Sequence, residues 1–154
     1  MKDRIMYVEL KSGYSDNGPA WIGKVKYSKS GQTIYFDGKA FRSLKGNGIQ
    51  GNYFDVITGE EYWISGIKKD EQNRHWAGGG KILIDKEHVD GFLKEIGKTE
   101  LSKEYEITVL KPSEPTKEIL EMENKKITED EAKPFPGRRT DKQVWNRGDE
   151  SENN

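Results

Sequence analysis

Gly46, Gly48 and Gly51, in the stretch LKGNGIQGNYFDV, stand in the G-x-G-x-x-G spacing with which a backbone can cradle a phosphate. That chemistry needs a strand before the glycines and a helix opening on the last of them. The helix N-terminus supplies the N–H groups and the dipole that hold a pyrophosphate. Here Gly51 leads into NYFDVI, whose aromatic and β-branched residues favour a strand. A kinase-type glycine loop does lie on a hairpin, but it needs a lysine strand and two acidic motifs from a much larger fold. The run AGGGKI looks like the end of a P-loop, yet His75 stands where its first glycine belongs and Ile82 replaces the Ser or Thr. The glycines are read as turn and bulge residues, set where a side chain would clash.

The remaining acid–base candidates are His75 and His88. His88 falls on the polar side of a helix and is read as solvated. His75 lies in NRHWAGGG, between Arg74 and Trp76, in a polar loop ahead of three glycines. A cation, an imidazole and an indole on such a hinge suit stacking on a base or holding an anion. Equally, Trp76 can fold back as a lid on a small barrel with Arg74 stacked over it. An enzyme using His75 as acid or base would lack a visible orienting partner. There is no cysteine, zinc spacing, calcium loop or G-x-S-x-G elbow, so no metal or cofactor is expected.

Aromatic and basic residues interleave between Trp21 and Trp76. On the strand at 60–68, alternation puts Tyr62 and Lys68 on one side and Trp63 on the other. One of the two aromatics therefore faces away from the core, unless both sides are covered. Lys24, Lys26, Tyr62, Trp63, Lys68, Arg74, His75 and Trp76 are the ligand-binding candidates. OB-like barrels hold single-stranded nucleic acid on such surfaces, and SH3-like barrels hold extended peptides. The reading is a non-catalytic binding module, with single-stranded nucleic acid or RNA placed slightly ahead of a peptide or protein. The alternative is a protein-interaction adaptor using the barrel or the tail, where Phe135, Arg138, Arg139 and Trp145 form a short recognition segment. An enzyme built on His75 is the third reading.

The elements that must position these residues are mostly strands. RIMYVELKS, WIGKVKY, QTIYF, KAFRSL, NYFDVI, EYWISGIKK and KILID each alternate or concentrate β-formers between turn residues. Met6, Val8 and Leu10 share one face of the first; Trp21, Val25 and Tyr27 share one face of the second, with Lys24 and Lys26 outward. Asp37-Gly38 suits a type I′ hairpin, which needs positive φ at both positions. Six or seven short antiparallel strands with hairpin-length links predict a mainly β fold, a meander closed into a small SH3-like or OB-like barrel. Then Val89, Phe92, Leu93 and Ile96 follow helical spacing between an N-cap at Asp85 and a C′ glycine at Gly97. This helix is expected to cap one end of the barrel.

Residues 1–98 are thus read as barrel and capping helix, and 99–111 as a linker that can add an edge strand at 105–110. Residues 112–154 have the composition of a charged, disordered tail, with a transient helix around Ile119, Leu120 and Met122. Charged residues at 34% and apolar residues at 32% agree with a chain of which part lacks a core. Residues 1–98 hold sixteen Lys and Arg against thirteen Asp and Glu, and residues 99–154 ten against fourteen. That asymmetry is too small to identify a polyanion partner by itself. The N-terminus has no apolar leader core, no stretch approaches a membrane span, and a cytoplasmic location is expected.

The runs SGYSDNGPAWIG, GEEYWISG and RHWAG carry a resemblance across residues 5 to about 90. There the chain resembles a family of small, uncharacterised bacterial proteins whose members often bear the label 1-deoxy-D-xylulose-5-phosphate synthase. A thiamine-diphosphate enzyme holds metal and diphosphate with a G-D-G run and a distant asparagine. Here Gly148-Asp149 and Asn153-Asn154 stand a few residues apart in the tail, and the chain is far too short for such domains. The resemblance implies a fold, and the residues argue against the labelled activity.

Overall fold

A computed structural model of the chain describes residues 3–14, 16–74 and 79–132, with side chains as far as Asn124. The fold is mainly β. Strands β1 (Arg4–Leu10), β2 (Ala20–Tyr27), β3 (Thr33–Phe36), β4 (Lys39–Ser43), β5 (Tyr53–Asp55) and β6 (Glu61–Gly66) form an antiparallel meander. Both β2 and β6 pair with β1, so the ring closes. Strand β7 (Ile82–Asp85) joins β2 in parallel along Ala20–Ile22, and β8 (Tyr105–Thr108) joins β7 in parallel. The edge strand anticipated at 105–110 is therefore present, while β7 lies outside the ring.

Alternation assigns the inside correctly. Met6, Val8, Val25, Ile34, Phe36, Phe41, Tyr62 and Ile64 fill the lumen, with Trp21 and Tyr27 packed against them. Between β3 and β4, Asp37 and Gly38 have φ of 51° and 73°, the positive values a tight hairpin needs.

The opposite face of the same strands is also apolar. Tyr7, Ala20, Ile22, Ile82 and Ile84 form a second cluster with Phe92, Leu93 and Ile96 of helix α1 (Val89–Ile96) and with Tyr105. Asp85 accepts from Glu87 N–H ahead of the helix, and Gly97, at φ 73°, returns its N–H to Leu93 and Lys94 carbonyls. The helix thus begins and ends as its caps dictate. Its stripe rests on the outer face of β1, β2 and β7 rather than over an open end, because that face would otherwise leave Tyr7 and Ile22 wet. Burying Phe92, Leu93 and Ile96 contributes roughly 1.5–3 kcal/mol each. A Cβ on Gly91 would come within 2.9 Å of Ile5 Cδ1, a side-chain end that can shift to admit it.

One edge of β2 is shared. Strand β3 takes Lys26 and Tyr27, β7 takes Ala20 to Ile22, and Gly23 and Lys24 fall between them. A strap from Leu110 to Ser113 fills this gap. Leu110 packs against the lumen cluster, and a Cβ on Gly23 would meet both Leu110 and Phe36 at 3.0 Å. Ser113 Oγ donates to Lys24 O at 2.7 Å and accepts from Asp37 N–H, while Lys111 N–H donates to the Asp37 carboxylate at 2.8 Å.

Beyond the strap, Thr116 Oγ1 accepts from Ile119 N–H at the start of α2 (Lys117–Ala132). Ile119 is fully buried with Tyr35, Ala40 and Val56. Residues 112–119, assigned from composition to the tail, belong to a unit that runs to Ile119. Single anchors set into notches leave no period for a sequence to display. The second unit starts at Leu120, and its described part is the helical backbone to Ala132. Among the described residues no helix is long and apolar enough to cross a membrane.

Ser113→Ala leaves the Lys24 carbonyl and Asp37 N–H without their partner and should lower stability by about 1–2 kcal/mol in urea unfolding. Truncation after Val109 also removes Leu110 and Ile119 and should cost at least about 3 kcal/mol. A truncated chain as stable as the full one would mean that the strap only rests on the barrel.

Candidate functional site

Past the end of α1, the outer face of β1 continues with charged residues. Glu9 stands opposite Trp63 of β6 and Ala20 of β2, and only 1% of it is exposed. The Tyr7 hydroxyl donates to its carboxylate. Lys11 Nζ lies 3.1 Å from Glu9 and 2.8 Å from Asp16. Arg74 Nη1 lies 3.6 Å from Glu9 and donates to the Asp16 carbonyl at 3.0 Å. Two carboxylates and two cations thus balance in one small volume.

Burial pushes the Tyr7 phenol far above its ordinary value of 10.0, and the hydrogen bond to Glu9 pushes the same way. Tyr7 therefore remains a protonated donor. Burial alone would lower Lys11, but its bonds to Asp16 and Glu9 outweigh that and raise it. Ser65 Oγ and Arg74 Nε are buried with no hydrogen-bond partner among the described residues.

A second carboxylate organises the glycine stretch. Glu61 Oε1 accepts from the backbone N–H groups of Ile49, Gln50 and Gly51 at 3.1, 3.0 and 2.9 Å. The stretch is therefore an anion nest, and its anion is a side chain of the same molecule. A Cβ on Gly48 would lie 2.3 Å from Gly51 O, and one on Gly51 would lie 2.5 Å from Tyr62 O. The turn reading stands, for the steric reason proposed. Glu61 also joins the neighbouring loop: its N–H donates to Ser12 Oγ at 2.7 Å, and its carbonyl accepts from Lys11 and Ser12 N–H. Asn17 Oδ1 in that loop accepts from Gly79 N–H at 3.0 Å.

The loop at 11–19, the loop at 44–52, and Arg74 and Gly79 therefore form one rim braced by Glu9, Asp16 and Glu61. Its exposed large side chains are Ile49 (90%), Tyr14 and Trp63 (39%).

The ligand-binding candidates divide accordingly. Trp63 is the outward member of its pair and lies beside the Glu9 network. Tyr62 is not a surface residue: it is buried in the lumen, its ring 4.7 Å from Phe41. Arg74 is not free to stack on a ligand, because Glu9 and Asp16 hold it inside. Lys24 and Lys26 sit on the outer face of β2, each 3.7 Å from an acid, Asp3 and Glu114. Lys24 faces Ile5, four residues along β1 from Glu9, or about 13 Å. The structure therefore does not join these lysines to Trp63. Lys68 is exposed in the turn after β6, where its N–H donates to Asn73 Oδ1. His75 and Trp76, and the tail candidates Phe135, Arg138, Arg139 and Trp145, lie outside the described residues.

Sequence reading missed Glu9, Lys11, Asp16 and Glu61 as organisers. The available signal was Tyr7, a large aromatic on the face of β1 opposite Met6, Val8 and Leu10. Around Val8, Trp21, Phe36 and Tyr62 the side chains leave no room for a water molecule. Among the described residues no three metal-ligating side chains cluster. No protein family, curated protein or solved structure matches the chain.

Glu9→Gln removes one of the two carboxylates that balance the buried Lys11 and Arg74 and should destabilise the fold by about 3 kcal/mol in chemical unfolding. Stability should also fall at alkaline pH. The unfolded chain releases the Tyr7 proton above about pH 10 and the folded chain keeps it, so the contribution is complete below that pH and is lost above it. Tyr62 and Tyr105 are raised by burial and act in the same direction. Melting curves from pH 8 to 11 should show Tyr7→Phe with the shallower loss, by up to about 1.4 kcal/mol per pH unit.

Proposed function

We propose that this barrel is a non-catalytic binding module that presents Trp63, Tyr14 and Ile49 to a protein or peptide. One observation carries the reading: the two cations that brace the rim, Lys11 and Arg74, are buried against Glu9 and Asp16. What the rim shows to a partner is therefore mainly aromatic and aliphatic, with Lys45 an exposed cation of the 44–52 loop. Trp and Tyr on braced loops are the side chains that dominate protein recognition, because they bring large area with few rotamers to freeze. Glu9 and Tyr7 resemble catalytic residues in type, but they are sealed beneath the surface and engaged with each other. A chain without cysteine suits the cytoplasm.

Single-stranded nucleic acid is the second reading, favoured by the exposure of Trp63, on which a base can stack. The lysines wanted for its backbone are ion-paired and on the order of 13 Å away.

A pull-down from lysate with and without nuclease, using wild type and Trp63→Ala, separates the two. Protein binding predicts a specific partner that survives nuclease and is lost at least about tenfold in Trp63→Ala. Capture abolished by nuclease, with affinity for a single-stranded oligonucleotide falling steeply with salt, would overturn the protein reading in favour of nucleic acid. Nuclease-resistant capture that Trp63→Ala and Tyr14→Ala both leave intact would remove the rim from either role.

A further inference from the structure

Strand β8 ends the sheet, and no described strand pairs with its outer edge. Its register on β7 sets Ile82 beside Tyr105 and Ile84 beside Ile107, and Ile82 N–H donates to Glu104 O at 2.8 Å. In a parallel ladder of this phase, the backbone groups of Glu104, Glu106 and Thr108 point at β7. Those of Ile107 and Val109 point away from it. The same two residues are 54% and 75% exposed. Unpaired N–H and C=O groups between apolar side chains are a template for another strand. This edge is separate from the rim residues, so it stands independently of the function proposed for them.

We infer that the occupant is β8 of a second copy of this chain, paired antiparallel about a twofold axis at Ile107. In that register Ile107 exchanges both backbone hydrogen bonds with its twin. Tyr105 stands opposite Val109 of the second copy, and Glu106 opposite Thr108. Moving the axis to Glu106 sets two glutamates directly against each other, which like-charge repulsion disfavours. Moving it to Thr108 requires Leu110 and Lys111 to extend the strand. Leu110 is instead packed on the lumen cluster, and Lys111 N–H is held by Asp37. Charge on one side and the strap on the other leave a single register. A pairing this short lies at the small end of specific interfaces, so association is weak, roughly in the high micromolar range.

The chain contains no cysteine, so single-cysteine variants report the register directly. Ile107→Cys brings two Cα atoms to about 5.5 Å across the axis, within disulfide reach. Val109→Cys leaves them about 13 Å apart, beyond it. With the full chain at about 0.5 mM under mild oxidation, Ile107→Cys should form a disulfide dimer at least about tenfold faster than Val109→Cys. In sedimentation, the mass of the wild type should rise with concentration from 17.7 kDa toward twice that value. Thr108→Glu, which faces Glu106 of the second copy, should weaken association roughly three- to tenfold, and Thr108→Lys should strengthen it. A monomer across the whole range, with Ile107→Cys no faster than Val109→Cys, overturns the inference and leaves the edge to a different polypeptide. A rising mass with both cysteines cross-linking equally also overturns it, because the second copy then sits elsewhere.

Discussion

Strand β1 is paired along both edges and covered on both faces, and much of the molecule follows from that. Its inward residues, Met6 and Val8, complete the lumen, while Tyr7 on the other face lies within the cluster beneath α1. Where the helix ends, the same buried face continues into Glu9. A carboxylate so enclosed costs several kcal/mol unless cations and donors meet it. Lys11, Arg74 and the Tyr7 hydroxyl do so, and the two cations also hold Asp16. Two loops far apart in sequence are thereby fixed to one strand. The brace contributes less to net stability than its geometry implies, since charges brought out of water lose hydration. What it secures is position: without Glu9, two cations would share Asp16 alone.

The glycine stretch follows similar logic with backbone donors. Three consecutive N–H groups converge on Glu61 because Gly48 and Gly51 let the chain come closer than any side chain would allow. A phosphate would find these donors occupied, and no helix begins at Gly51 to add its dipole. Spacing alone therefore overstated the case for a nucleotide. The nest is real, but its anion is internal, and its effect is to tie the loop at 44–52 to the start of β6.

What could be read from the sequence was what is local. Alternation identified the strands and the lumen face, Asp37-Gly38 marked its hairpin, and Asp85 and Gly97 marked the limits of the helical segment. Alternation tells which residues share a face; it does not tell whether that face is covered. Glu9 and Lys11 could not be assigned a role for that reason, and Arg74 read as available. Tyr62 and Trp63 posed a choice that only closure of the ring could decide, and Tyr62 went inside. Alternation in KILID points Ile82 and Ile84 inward, but they lie in the layer under α1 and not in the lumen, since β7 joins in parallel outside the ring. The strap was hidden because Leu110, Ser113 and Ile119 each fill a different notch, and isolated anchors have no periodicity.

This distribution of charge bears on what the surface can recognise. Cations closed into buried pairs neither steer an incoming polyanion nor release counterions on meeting one, so the residues that remain outside set the chemistry of recognition. On the rim these are Trp63 on β6, and Tyr14, Ile49 and Lys45 on loops whose backbones are held through Glu61, Ser12 and Asn17. Fixing a loop before binding removes part of the ordering entropy that binding would otherwise oppose. The internal ion pairs thus act on recognition indirectly. They keep Lys11 and Arg74 from the surface and brace the strand and loops that carry the exposed aromatic side chains, and on that ground a polypeptide partner is proposed ahead of a nucleic acid.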